Sequence, residues 1–593
     1  MRQLPNGVPT TILTSHAMLI PWGIFAQLIG LVCALEEVPI PQRQREHRPQ
    51  AKLIEFLAAI LSGCAHLQDI SRGPHPLDQD QAVAQAWGQE KWADYSGVSR
   101  TLKASTDETV TSVQDALEKV SRPFIEREVV LALRDRNVLI LDGDLTGRPV
   151  SNSSTTYPDV AFGWMSDAIQ LGYQAALVSM HSPTYGRLWL SVEQHPGDTV
   201  SSSEAEAMVH AAEARTGARP WRRTDLLMER IEQHQPLVEE AETKQRRALS
   251  RLSDCQESLD QVHREHQAWA QQVSDLEIAY QARNRPERPY SRLAKARRKL
   301  DVRERRLARR QRDLEKAQTW LSRCQQKVAA LQAERALLQE RLTRFIEDNR
   351  TNSWPIRAIF RLDGGFGTGR NVALLIEMGY EVYSKASNYQ TARALRQRAG
   401  SRPWLQVGKN AEMIAWEDAE LRHCPYPLDL ALERFQTGEK LKHAVLLHYG
   451  PEPVTTDLEG WFHFYNRRQT IEAGIKEGKN VFQMHHLKVR SPAGLVIQEE
   501  FAVFAANFVR WAAAWLCQTC PEAPTPFNQA RPNVKQLVRV AANTSAWVIW
   551  QPEGCLLRFT DLSAFAGVEL RVRDTNPFQL ALPLFKSCVF SLI

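Results

Sequence analysis

Between Val238 and Phe345 the apolar positions recur at alternating steps of three and four, the period at which a helix presents one continuous stripe to a partner. Val238, Ala241, Gln245, Ala248, Leu252, Cys255, Leu259, Val262, His266, Trp269, Val273, Leu276 and Tyr280 carry the first series. Leu293, Leu300, Leu307, Leu314, Leu321 and Val328 carry the second by sevens, with Ala317, Cys324, Leu331, Leu338 and Phe345 in the companion seam. Arg285-Pro286-Glu287-Arg288-Pro289 breaks the pattern between them. Two similar arms around a short breaker predict an antiparallel coiled-coil hairpin, roughly 75 Å long at 1.5 Å per residue. Pro236 is placed in the first turn of the outgoing arm, where a missing N–H is harmless.

Outside the hairpin the period changes. Val138-Leu-Ile-Leu-Asp142 and Ala358-Ile-Phe-Arg-Leu-Asp363 are short apolar runs stopped by acid and glycine, as buried strands are. Further strands are expected at Gly172–Met180, Arg187–Val192 and Tyr380–Lys385, with helices near 204–214 and 370–378. Removing the hairpin leaves these elements reading continuously as an α/β core in three parts, 131–222, 351–400 and 459–520. The hairpin at 223–350 is inserted between the first two parts. A β-rich insertion at 401–458 precedes the third. The region 1–130 reads as helical and separate. In it, Gln81–Gly88 followed by Trp92–Leu102 has the cadence of a helix-turn-helix, with Arg100 on the recognition helix. The alternative there is a helical domain packed on the core. In the C-terminal region, 521–593, a proline-rich linker precedes short strands.

Composition narrows the class. A chain of 593 residues with 43% hydrophobic content implies several domains. No segment has the length and apolarity of a membrane span; Met18–Leu35 comes closest but carries Pro21, Gly23, Gln27 and Gly30. Nine cysteines without a repeated pattern point to a reducing compartment, and Cys517-Gln-Thr-Cys520 is a lone pair. The net charge of +6 is uneven: fourteen basic against three acidic residues between Arg283 and Arg312 give +11 there and −5 elsewhere. Such a cluster is an electrostatic footprint for nucleic acid, although long charged helices also carry Arg and Lys for solubility.

The chemistry concentrates in Tyr465-Asn-Arg-Arg468-Gln-Thr-Ile-Glu472-Ala-Gly-Ile-Lys-Glu-Gly-Lys479. Steps of three, four and seven put Tyr465, Arg468, Glu472 and Lys479 on one face of a continuous helix, aiming a carboxylate between a hydroxyl and two cations. The plain alternative is a solvated face with an Arg–Glu pair. The spacing Tyr-x2-Arg-x3-Glu-x6-Lys resembles the signature of the YREK group of DDE transposases, the cut-and-paste enzymes of bacterial insertion sequences. That resemblance implies an RNase H-like catalytic core and two upstream aspartates at strand ends, for which Asp144, followed by Thr146, and Asp363 stand in chain order. Asp142, two residues away on the same strand face, is the alternative first acid. By resemblance, Asp144, Asp363 and Glu472 would be the catalytic residues, holding two Mg²⁺ ions or two Mn²⁺ ions in their place, and Tyr465, Arg468 and Lys479 would contact DNA. The implied partner is double-stranded DNA, as transposon ends and target, bound by a homodimer in the bacterial cytoplasm. A domesticated, catalytically inactive DNA-binding protein on the same fold is the rival reading.

Overall fold

The computed structural model describes residues 11–578 apart from 166, 284–287, 439, 528, 530 and 564, and apart from the side chains of 540–543. The breaker at Arg285-Pro286-Glu287 lies outside the described residues. The chain divides into two compact units, one formed by the described residues up to Trp221 together with those from Asn352 on, the other by Arg222–Thr351.

The first unit is mixed α/β. In chain order its main elements are β1 (Leu139–Pro149), β2 (Ala161–Met165), β3 (Ala168–Ser182), β4 (Gly186–Pro196) and α1 (Ser201–Thr216). The second unit follows as α2 (Thr224–Ala282) and α3 (Arg292–Thr351). The first unit then resumes with β5 (Ala358–Leu362), α4 (Gly369–Glu377), β6 (Glu381–Lys385), α5 (Tyr389–Ala399) and strands β7 (Leu405–Gly408), β8 (Ala411–Ala419), β9 (Leu428–Thr437) and β10 (Lys440–Tyr449). It closes with α6 (Leu458–Asn466), α7 (Gln469–Asn480) and α8 (Pro492–Thr519).

One sheet runs β2-β3-β1-β5-β6-β10-β9-β8-β7, with β4 also paired to β3. β1 is antiparallel to β3, and β3 to β4, whereas β1, β5 and β6 are parallel to one another. The strands expected as a β-rich insertion therefore do not stand apart: β10 pairs antiparallel with β6 and extends the same sheet. Alternating apolarity marks a strand without naming its neighbour. Helix α6 lies over this extension, burying Trp461 and Tyr465 against Ile140, Ile359, Tyr383 and Leu446. At the other end, Asn507 of α8 bonds both the amide and the carbonyl of Trp189 on β4 at 2.9 and 2.8 Å, satisfying backbone groups that no further strand reaches.

The amino-terminal region is not separate. Phe25 packs 5.4 Å from Phe508 and 5.3 Å from Trp515, and Phe124 stacks on Trp511 at 4.4 Å, so its helices share a core with α8. A helix apolar all round, as α8 is, has to be covered on every side. Thr11–Thr14, for which no strand was expected, pairs with Ala546–Gln551 in a second, four-stranded sheet. In the helix-turn-helix candidate, the helices Gln81–Ala86 and Tyr95–Ala104 are joined by residues 87–94, well beyond the three or four residues of that motif's turn.

In the second unit α2 and α3 are 59 and 60 residues long, about 90 Å each at 1.5 Å per residue. Val238 and Ala241 pack with Val328 and Leu331, and Val273 with Leu293 and Ala296, so the arms run antiparallel. The placement of Pro236 is corrected: α2 begins at Thr224, and Pro236 lies inside it. The buried stripe continues upstream by sevens through Leu227, His234, Ala241 and Ala248. That packing outweighs an interior proline, which costs about 3 kcal/mol. At the base, Arg222 and Asn349 exchange hydrogen bonds of 2.7 and 3.0 Å.

A buried histidine holds β10 to its neighbours. His448 faces Asp429 of β9 at 3.0 Å and Glu381 of β6 at 3.5 Å. Burial opposes its charge, but the hydrogen bonds and charges of these two acids prevail and raise its pKa. A raised folded pKa means that the stabilisation is complete below the unfolded value near 6.5 and is lost as pH climbs through the folded one. The urea midpoint of the wild type should therefore exceed that of His448→Gln most at about pH 6, with the gap closing toward pH 9. A gap independent of pH would show that charge is not what His448 contributes.

Candidate active site

Strand β1 crosses the middle of the sheet, and its alternation sends Asp142 and Asp144 to the same face. Gly143 between them points the other way, where an added Cβ would sit 2.8 Å from both Leu362 Cδ2 and Met208 Cε and would have to displace the tips of these two side chains. Asp363 follows the last residue of β5, the strand parallel to β1. Its carboxylate accepts from the Gly365 amide at 3.0 Å. Glu472 lies in the first turn of α7. That helix settles onto β4 at Gly474, where a Cβ would stand 2.8 Å from the Trp189 ring.

The expected continuous helix is broken. Residues 458–480 form α6 and α7 with a turn at Arg467 and Arg468 between them, so the helix is interrupted within the signature while Arg468 and Glu472 keep their i, i+4 pairing. The break turns Arg468 inward. Its Nη1 lies 3.5 Å from Asp144 Oδ2 and its Nη2 3.2 Å from Glu472 Oε1, so one guanidinium bridges two of the expected acids. Burial raises the Asp144 pKa to about 6, and the neighbouring charges of Asp363 and Glu472 add to it while Arg468 opposes them. The three carboxylates thus converge closely enough to repel one another, around a cation supplied by the protein.

The other two signature side chains also face the protein. Tyr465 is buried and its hydroxyl donates to the Leu362 carbonyl at 3.1 Å, pinning the end of β5 just before Asp363. Lys479 Nζ donates to the Gly147 carbonyl of β1 at 2.9 Å. Burial lowers its pKa, as does the nearby Arg148 charge.

Asp142 has a different role. It is fully buried, with Arg361 at 2.7 Å, Arg187 at 2.9 Å and His181 at 2.9 Å around its two oxygens. Burial by itself would raise its pKa, yet the His181 hydrogen bond and the two guanidinium charges hold it well below the usual carboxylate range. Arg361 reaches on to the Phe464 carbonyl at 2.7 Å, and Arg187 touches the Thr470 hydroxyl. This network ties β1, β3, β4 and β5 to the two helices that carry Tyr465, Arg468 and Glu472. Arg361, Arg187 and His181 were not among the expected residues, although an arginine inside an apolar strand (Ala-Ile-Phe-Arg-Leu) needs a buried partner.

Three carboxylates suit a hard divalent cation, which accepts oxygen ligands and relieves their repulsion. Among the described residues no group of three or more His, Cys, Asp or Glu stands in metal-holding geometry, and Asp144 and Glu472 are both paired with the Arg468 guanidinium. Among the described residues, too, no helix is long and apolar enough to cross a membrane. No protein-family model matches the chain, and no curated protein matches it either.

Proposed function

We propose that this chain is a DDE transposase of the YREK group, cleaving DNA at transposon ends and joining the freed ends to a target. The observation that carries the reading is that Asp144, from a central strand, and Glu472, from a late helix, meet on Arg468 at 3.5 and 3.2 Å, with the charge of Asp363, at the end of the parallel neighbour of that strand, near enough to act on Asp144 and Arg468. The strand order β4-β3-β1-β5-β6, with three antiparallel strands followed by two parallel ones, supports an RNase H-like core. The inward-facing Tyr465, Arg468 and Lys479 fit the spacing that drew attention to them.

Asp144, Asp363 and Glu472 would hold two Mg²⁺ ions, or Mn²⁺ in their place, which supply activation of the attacking oxygen and stabilisation of the leaving one. Arg468, which pairs with Asp144 and Glu472, would have to leave them for a DNA phosphate before these carboxylates could hold metal. Lys479, held only by one carbonyl, exchanges it for a phosphate beside the cut. Tyr465 keeps β5 and Asp363 in register with α6. The partners are transposon ends and target DNA, the acting species a homodimer on DNA, and the setting the bacterial cytoplasm.

Purified protein incubated with duplex DNA taken from the borders of its own element should nick it in Mg²⁺ or Mn²⁺ and leave it intact in EDTA. Cleavage that persists in EDTA, or no cleavage of any border sequence with metal present, would remove the reading.

A further inference from the structure

Of the eleven basic residues from 292 to 312, eight lie on one side of α3. Taking Leu293, Leu300 and Leu307 as position a of the heptad places the buried Ala296 at d. Arg292, Lys299 and Arg306 then fall at g, Lys295 and Arg309 at c, and Arg312 at f. These three positions are adjacent on the helix surface, so the six cations form one flank of α3. Arg298 and Arg305 also fall at f, and the neighbouring b and e positions carry Ala294, Asp301, Ala308, Arg297, Glu304 and Gln311.

All six are exposed, and among the described residues none has a carboxylate partner. The acids nearby are committed elsewhere: Glu277 to Arg297 at 2.7 Å, Asp301 to Arg305 at 3.0 Å and Glu265 to Arg303 at 3.8 Å. Lys299 Nζ also sits 4.6 Å from the Trp269 ring centre, which holds its stem against α2. Solubility needs charge of either sign, and the remainder of the same helix shows what that looks like. From 313 to 350 it carries seven basic and six acidic residues, against eleven and two from 292 to 312.

We infer that this flank of α3 is a docking surface for the phosphate backbone of duplex DNA, read without regard to sequence. From Arg292 to Arg312 the stripe extends about 30 Å, which spans roughly nine phosphates of one strand at 3.4 Å each. Four of the six cations are arginines, whose planar fork of donors matches phosphate oxygens two at a time. The inference concerns the second unit alone and does not depend on cleavage.

The test uses the full chain with Arg292, Lys295, Lys299, Arg306, Arg309 and Arg312 all changed to Gln, and a 30-base-pair duplex unrelated to the element's borders as probe. Log affinity should fall less steeply with log salt, by about 0.9 for each phosphate that is no longer neutralised, and affinity at 0.1 M salt should drop at least a hundredfold, with helicity by circular dichroism unchanged. A second variant, Lys316→Gln, Arg323→Gln and Lys327→Gln in the balanced half, should keep the wild-type slope. Equal slopes for wild type and the six-site variant would overturn the inference. So would wild-type protein that ignores the duplex but binds vesicles of anionic lipid through the same six residues. Loss of border nicking with an intact salt slope would count against the proposed function and leave this surface standing.

Discussion

Replacing Asp142 by alanine should cost the protein more stability than any other single change in the sheet. Arg361 and Arg187 are 1% and 8% exposed, and both direct their charge to this one carboxylate. Removing one member of a buried ion pair leaves the other uncompensated, at about 3–5 kcal/mol. With two guanidinium groups stranded at once, the expectation is the upper part of that range, and the chain should lose soluble yield at 37 °C. Asp142→Asn, which keeps the shape and one acceptor, should lie between alanine and wild type. Urea melts of the three proteins decide the matter. An Asp142→Ala protein that melts like wild type and fails only in cleavage would make Asp142, not Asp144, the first ligand.

That expectation comes from the structure because nothing local in the sequence announces it. Asp142 and Asp144 are both acids on an apolar strand, and the difference between them lies in partners 39, 45 and 219 positions away. What was legible had a short period and a local cause. The heptads marked both long helices, since a stripe facing a single partner leaves one frequency in the sequence. The runs at Val138–Asp142 and Ala358–Asp363 marked two central strands, since a strand covered on both faces is apolar throughout.

Elsewhere, the decisive information was tertiary. Pro236 is a local signal for a helix start, but the buried Leu227 and His234 carry α2 past it. Strands β7 to β10 looked self-contained because alternation does not reveal that β10 would pair with β6. The signature spacing suggested one helix, but the helix is interrupted at Arg467–Arg468, where Arg468 meets Asp144, a partner 324 positions away.

The largest functional effects should come from the three carboxylates. Asp144→Ala, Asp363→Ala and Glu472→Ala are each expected to cut nicking by about a thousandfold or more, since residues acting as a unit lose nearly everything with any one member. Double changes should add little. Glu472 is the informative case, because its side chain is about half exposed (47%) and among the described residues is paired only with Arg468, so its loss leaves the core packing untouched. Binding of border DNA should survive all three changes and even tighten slightly, each having removed a negative charge from beside the phosphates.

The most direct measurement is single-turnover nicking of border DNA by the wild type and these three variants in Mn²⁺, with binding of the same duplex followed in parallel. The account predicts one fast wild-type phase, no phase above background for any variant, and dissociation constants within a few-fold of one another. A Glu472→Ala or Asp363→Ala protein that nicks at the wild-type rate would contradict it.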